Sequence, residues 1–206
     1  MTVNRSTRPS QKSRKAKALL AGGLVLGVGA AVTLASWTDQ EWTEGLFGAG
    51  SFNIEGSVDG SEFTDHESAA GAASLVFDLP PSTNMSPTDV VAAPFAMRVD
   101  GETTYDADMV LESATAEGTN VANLTYGIIQ VTDAAACTPE ATGNDIVPAG
   151  TPLDSVVGAS GFTLAAGADA AAGTTTTLCF QITAGANLEQ GTETTAQWQF
   201  IGTSAE

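Results

Sequence analysis

The chain predicts an all-β fold, a jelly-roll-like antiparallel β-sandwich preceded by an N-terminal signal or transmembrane-like helix. Three observations carry this. All but one of the basic residues gather at the start, ahead of an uncharged run. Beyond that run, apolar residues recur with period two rather than 3.6. Turn residues then cut the alternating runs at spacings typical of a sandwich or jelly roll.

Residues 1–17 hold Arg5, Arg8, Lys12, Arg14, Lys15 and Lys17, and no acid. Residues 18–35 carry no charge and are mostly Leu, Val, Ala and Gly. A basic start, an apolar run and then small residues is the pattern of a secretory signal. The run is near the lower limit of a membrane span, so an uncleaved anchor is the alternative. Gly22, Gly23, Gly27 and Gly29 weaken a permanent span, and Thr33-Leu34-Ala35 suits a signal peptidase. Cleavage is expected between Ala35 and Ser36, leaving contact with the membrane only through the signal segment before that cut. The mature chain would be secreted, on the cell surface or in the extracellular matrix.

Removing residues 1–35 leaves 171 residues with Arg98 as the one Lys or Arg against 24 Asp+Glu, a formal charge of −23. Such a surface repels nucleic acid and anionic lipid, so neither is expected as a partner. The length suits one domain with a sizeable core. The expected division is a signal peptide at 1–35, an N-terminal segment at 36–50 and a sandwich at 51–206.

The strand runs follow in order. Phe52 and Ile54 alternate with Asn53 and Glu55. Ser74–Leu79 is a further apolar run, closed by Pro80-Pro81 and Ser86-Pro87. Val91, Ala93, Phe95, Met97 and Val99 share one side of a strand, in which Pro94 favours an edge or a bulge. Asp100-Gly101-Glu102 is a hairpin candidate, joining that strand to Tyr105, Ala107, Met109 and Leu111. Val121–Val131, Leu178–Ile182 and Ala196–Phe200 complete about seven strands. Alternation of this kind sets one face on a core and the other in solvent.

Residues 134–174 are rich in Ala, Gly, Pro and Thr. They read as a long excursion with a short helix or short strands, packed against the sandwich. Cys137 and Cys179 are the only cysteines, and an exported chain permits a disulfide between them. That bond would tie the start of the excursion to the Leu178–Ile182 strand. Two free thiols are the alternative.

No chemistry of a hydrolase is visible. The one histidine, His66, sits in Asp65-His66-Glu67, with no HExxH, no GxSxG and no P-loop. It reads as a loop residue, and no enzyme activity or cofactor is expected. Asp59, Glu62, Asp65 and Glu67 fall close together in a turn-rich stretch and are weak calcium candidates, although no EF-hand spacing joins them. Asn84-Met85-Ser86 and Asn123-Leu124-Thr125 fit the glycosylation triplet. The closing residues Gly202–Glu206 hold no sorting signal, so covalent wall anchoring is not expected.

Several stretches resemble one known family. They are Ala31-Val32-Thr33-Leu34-Ala35 with Ser36-Trp37-Thr38-Asp39, and Phe47-Gly48-Ala49-Gly50-Ser51-Phe52-Asn53-Ile54-Glu55-Gly56-Ser57. Met85-Ser86-Pro87-Thr88-Asp89 leading to Ala93-Pro94-Phe95, and Thr195-Ala196-Gln197-Trp198-Gln199-Phe200, add to these. Together they are similar to the TasA/camelysin family of exported proteins, whose signal peptides are of the SipW-cleaved type. The resemblance implies a jelly roll and, as in the matrix members, a biofilm fibre built by donor-strand complementation between like subunits. Ser36–Phe47 would be the donated strand, with Trp37, Trp42, Leu46 and Phe47 as its apolar anchors. Trp37 and Trp42 are five apart and so fall on opposite faces of a regular strand. A monomeric surface-binding module stands as the alternative, and a secreted camelysin-type metallopeptidase as the more distant one.

Overall fold

The structure, a computed structural model, describes Lys12 and residues 15–20, 51–77 and 85–205. The chain divides into two compact units, Met1–Phe47 and Gly48–Glu206. In the first, residues 15–20 are helical and exposed. No helix among the described residues is long and apolar enough to cross a membrane. Ala35, Ser36, Trp37, Trp42, Leu46 and Phe47 lie outside the described residues, as do Leu79 and Asn84.

The second unit is a sandwich of two antiparallel sheets. Its described residues form β1 (Ile54–Ser57), β2 (Val90–Val99), β3 (Asp106–Gly118), β4 (Leu124–Val131), β5 (Asn144–Pro152), β6 (Phe162–Leu164), β7 (Thr176–Ala184) and β8 (Thr194–Ala205). The larger sheet runs β1-β2-β7-β4-β5 and the smaller β6-β3-β8. Period-two patterning explains the layers. Val91, Met97 and Val99 of β2, Leu178, Phe180 and Ile182 of β7, and Ile128 of β4 meet Ala107, Met109 and Leu111 of β3 in one core. Trp198 and Phe200 of β8 stand against Phe180, with ring centroids 5.0 and 6.3 Å away.

Several expectations are corrected in detail. Asp100-Gly101-Glu102 is not a hairpin, because β2 and β3 belong to different sheets. It is a corner between the layers. The Asp100 carboxylate accepts from the Thr103 hydroxyl at 2.7 Å and from the N–H groups of Thr103 (2.8 Å) and Glu102 (3.0 Å). Burial works against its ionisation, but these bonds win and hold its pKa below the usual carboxylate value. Tyr105 stands outside the core and 53% exposed. The described part of the Ser74–Leu79 run, Ser74 to Phe77, pairs with no strand. Phe52, too, is exposed, and β1 begins only at Ile54.

The excursion at 134–174 packs on the sandwich, as expected, by adding an edge strand to each sheet. β5 pairs with β4, and β6 pairs with β3. Cys137 and Cys179 are bonded. Cys179 points away from the main core, yet it is fully buried, because residues 137–141 cover that face of the larger sheet. Gln181 fastens the cover. Its Nε2 lies 3.0 Å from the Thr138 carbonyl, 3.1 Å from Ala141 and 3.2 Å from Pro139. An amide has only two N–H groups for these three acceptors. The disulfide is compatible with an extracellular location.

Candidate functional site: an open strand edge

The candidate site is a groove of about 900 Å³ along one side of the sandwich. Its floor is apolar, built from Phe95 and Met97 of β2, Met109 of β3 and Phe180 of β7. Gly56 makes room at the floor, since a Cβ there would stand 2.5 Å from the Phe95 ring. One wall is β8. Every residue from Thr194 to Phe200 borders the groove. A surface lying on one face of a strand meets alternate side chains, so an unbroken run means that the groove follows the edge of β8. The opposite wall is formed within residues 66–77.

Among the described residues β8 pairs only with β3. Its other edge has no ladder partner among the described residues. Such edges pair readily with other chains, and proteins blunt them with charge, proline, bulges or shortness. The remaining edges of this sandwich are blunted. β1 has 4 residues and β6 has 3. β5 carries Pro148 and Pro152 and two register shifts against β4. The part of β2 that extends beyond β1 holds Pro94, which fits the edge position expected for that proline. β8 is neither short nor charged nor interrupted by proline, and the one register shift of its pairing puts the extra residue, Glu112, on β3. Its 12 residues, TTAQWQFIGTSA, include no charge and no proline.

Aromatic packing holds the floor. Tyr126 is fully buried and donates its hydroxyl to the Ser155 carbonyl at 2.7 Å. Burial pushes its pKa up to about 12. The Trp198 indole N–H lies close enough to offset that rise in part, yet it makes no aligned hydrogen bond and is itself buried.

The entrance to β1 is fixed at the corner. Thr103 Oγ1, whose hydrogen goes to Asp100, accepts from Asn53 N at 2.9 Å, and Asp100 N donates to Asn53 O at 3.1 Å. Arg98 then fastens β1 to β2. Its guanidinium contacts Glu55 Oε2 at 3.0 and 3.3 Å and lies 3.9 Å from the centre of the Phe63 ring.

The calcium candidates are not brought together. Among the described residues no three His, Cys, Asp or Glu side chains converge. Asp59 spends its carboxylate on its own turn, accepting from Ser61 N (2.8 Å), Glu62 N (3.1 Å) and the Ser57 hydroxyl (2.8 Å). The Ser61 bond is the largest cause of a pKa held well below the usual range. Asp65 accepts from the Asn53 side chain at 2.9 Å, and Glu62 and Glu67 are exposed. His66 sits in a loop with its ring edge-on to Phe95, 6.2 Å between centroids, and 3.4 Å from the Thr64 hydroxyl.

The resemblance named Trp37, Trp42, Leu46 and Phe47 as anchors but gave nothing for them to enter. The sequence carries no distinctive signal for the groove, because acid-free stretches longer than Thr194–Ala205 occur elsewhere, at 118–132 and 170–188. No protein-family model matches this chain, and no curated protein matches it either.

Proposed function

We propose that this chain is a secreted, non-enzymatic structural subunit that polymerises by strand donation into filaments of the cell surface or biofilm matrix. The observation that carries the reading is the unguarded edge of β8 beside an apolar groove. In the assembly, Ser36–Phe47 of one subunit lies along β8 of the next. Main-chain bonds supply affinity, and apolar anchors enter the groove. Donation from head to tail does not close on itself, so it propagates as a filament. Charge favours this pairing. The donor carries Asp39, Glu41 and Glu44, and β8 is a long strand that offers no acid to oppose them. Like charges directly across a ladder are destabilising. Signal removal frees the donor only after export, which keeps assembly outside the cell.

Electron microscopy and sedimentation of the mature chain test this, at low and high salt and with calcium. Filaments are expected, promoted by salt that screens the −23 charge. Trp37→Ala with Trp42→Ala should leave a folded monomer. A wild-type chain that stays monomeric at high concentration in salt and calcium refutes the reading. Were the double variant to melt early with its oligomeric state unchanged, a monomeric binding module would be the better description.

A further inference from the structure

The wall of the groove opposite β8 belongs to neither sheet, and its construction is unusual. From Ala73 to Phe77 exposure alternates, with Ala73, Leu75 and Phe77 half-buried and Ser74 and Val76 exposed, Val76 at 73%. Leu75 and Phe77 pack on the main core. That is the side-chain pattern of a strand with one face inward. Among the described residues it has no ladder. No main-chain hydrogen bond joins residues 66–77 to β8 among the described residues. One side-chain bond crosses the groove, from Gln197 Nε2 to the Ala69 carbonyl at 3.0 Å. The stretch before Leu75 is Ser-Ala-Ala-Gly-Ala-Ala-Ser, whose short side chains give little anchorage. Its single 3-10 turn, Ala69–Gly71, is closed by Ser68, which accepts from Gly71 N, and by a longer bond from Ala72 N to the Ala69 carbonyl at 3.4 Å.

We infer that residues 73–77 are a placeholder strand. In the free subunit Leu75 and Phe77 cover the apolar floor through side chains only, and an incoming strand of a second copy displaces them. The inference rests on the strand-donation reading and adds a regulatory step to it. Shielding the floor suppresses indiscriminate association through exposed apolar surface. Leaving the β8 main chain unpaired keeps the exchange favourable, since a donor brings the ladder that the placeholder lacks. Segments held by few hydrogen bonds open at low cost.

The test uses the full mature chain. Phe77→Ser removes a large part of the cover, so the open form should be about tenfold more populated and the lag before filament growth correspondingly shorter. Val76→Ser, at an exposed position, should leave the lag unchanged, and melting curves establish that both variants fold. A second measurement uses labelling. The described chain has no free cysteine, so Leu75→Cys adds one addressable thiol. Maleimide should react faster with it in filaments than in monomers. A lag unchanged or lengthened in folded Phe77→Ser, or a thiol better protected in filaments, makes residues 73–77 a permanent wall and overturns the inference while strand donation stands. Absence of wild-type filaments under every condition removes strand donation, and the placeholder role with it.

Discussion

Removing the disulfide offers a stability test with a magnitude fixed by the structure. The bond closes a loop of 43 residues between Cys137 and Cys179, and loop-closure entropy assigns it about 4 kcal/mol. Cys137→Ala with Cys179→Ala is the suitable pair, because both sulfurs lie in a small apolar cluster with Ala92 and Ile129, where a serine hydroxyl would lack a partner. For a chain of this size about 4 kcal/mol corresponds to a fall in melting temperature of roughly 8–16 °C. Urea titration of mature protein and variant measures the loss directly. Gln181→Ala separates two origins. If the bond acts by restricting the unfolded chain, deleting the Gln181 contacts adds its own cost, about 1–3 kcal/mol, independently of the disulfide. If the bond acts by holding residues 137–141 down on the sheet, the two losses overlap. A loss below about 1 kcal/mol from the cysteine pair would refute the entropic account, since the unfolded chain would then already be closed by other means.

Two further outcomes are expected. Thr88 occupies the third position of the Ser86–Asp89 turn at φ +78°, where a β-branched residue is strained. Thr88→Gly should therefore stabilise the fold by about 0.5–1 kcal/mol after the entropy of glycine is set against the relief; a measured loss would show that the Thr88 side chain contributes more than its backbone costs. Tyr126, with its pKa raised from 10.0 to about 12, keeps its proton in the fold while the unfolded chain gives it up. That stability is complete below pH 10 and declines as the pH rises from there towards 12. Tyr126→Phe should flatten this alkaline decline in melting temperature, and an identical decline in the variant would place its cause elsewhere.

Much of the fold was legible because one-sided burial writes itself as alternation. Ala107, Met109 and Leu111, or Leu178, Phe180 and Ile182, can share a core only if each run is a strand. Alternation states which face is buried, however, and not which strand lies alongside. Hence Asp100-Gly101-Glu102 read as a hairpin, although Asp100 shapes a corner between sheets with Thr103. The same limit hid the second face of β7. Alternation puts Cys179 and Gln181 on the face of β7 away from the core, and the return of residues 137–141 covers that face, burying Cys179. Leu75 and Phe77 show the converse, a strand pattern without a strand, since a ladder requires a partner that local sequence cannot supply.

The groove was less legible for a related reason. Its floor draws on β2, β3 and β7, which are distant in sequence, and its wall depends on β8 ending a sheet. A strand's own residues do not say whether it is central or at an edge. What they do say is whether an edge would be tolerated. An edge as bare as Thr194–Ala205 is a hazard unless something else restrains it. Charge is one such restraint: with residues 1–35 removed, as the proposed export requires, copies would carry −23 and repel over about a Debye length, roughly 8 Å at physiological salt. That is longer than the 4.7–4.9 Å between paired strands, so repulsion acts before any ladder can form. On the strand-donation reading proposed above, a matched donor would overcome the barrier by adding the apolar contacts of Trp37 and Trp42 to its main-chain bonds, whereas a casual β8-to-β8 encounter has the bonds alone. On that reading, the absence of charge from β8 in so acidic a chain would keep one edge open to a partner that brings its own apolar anchors.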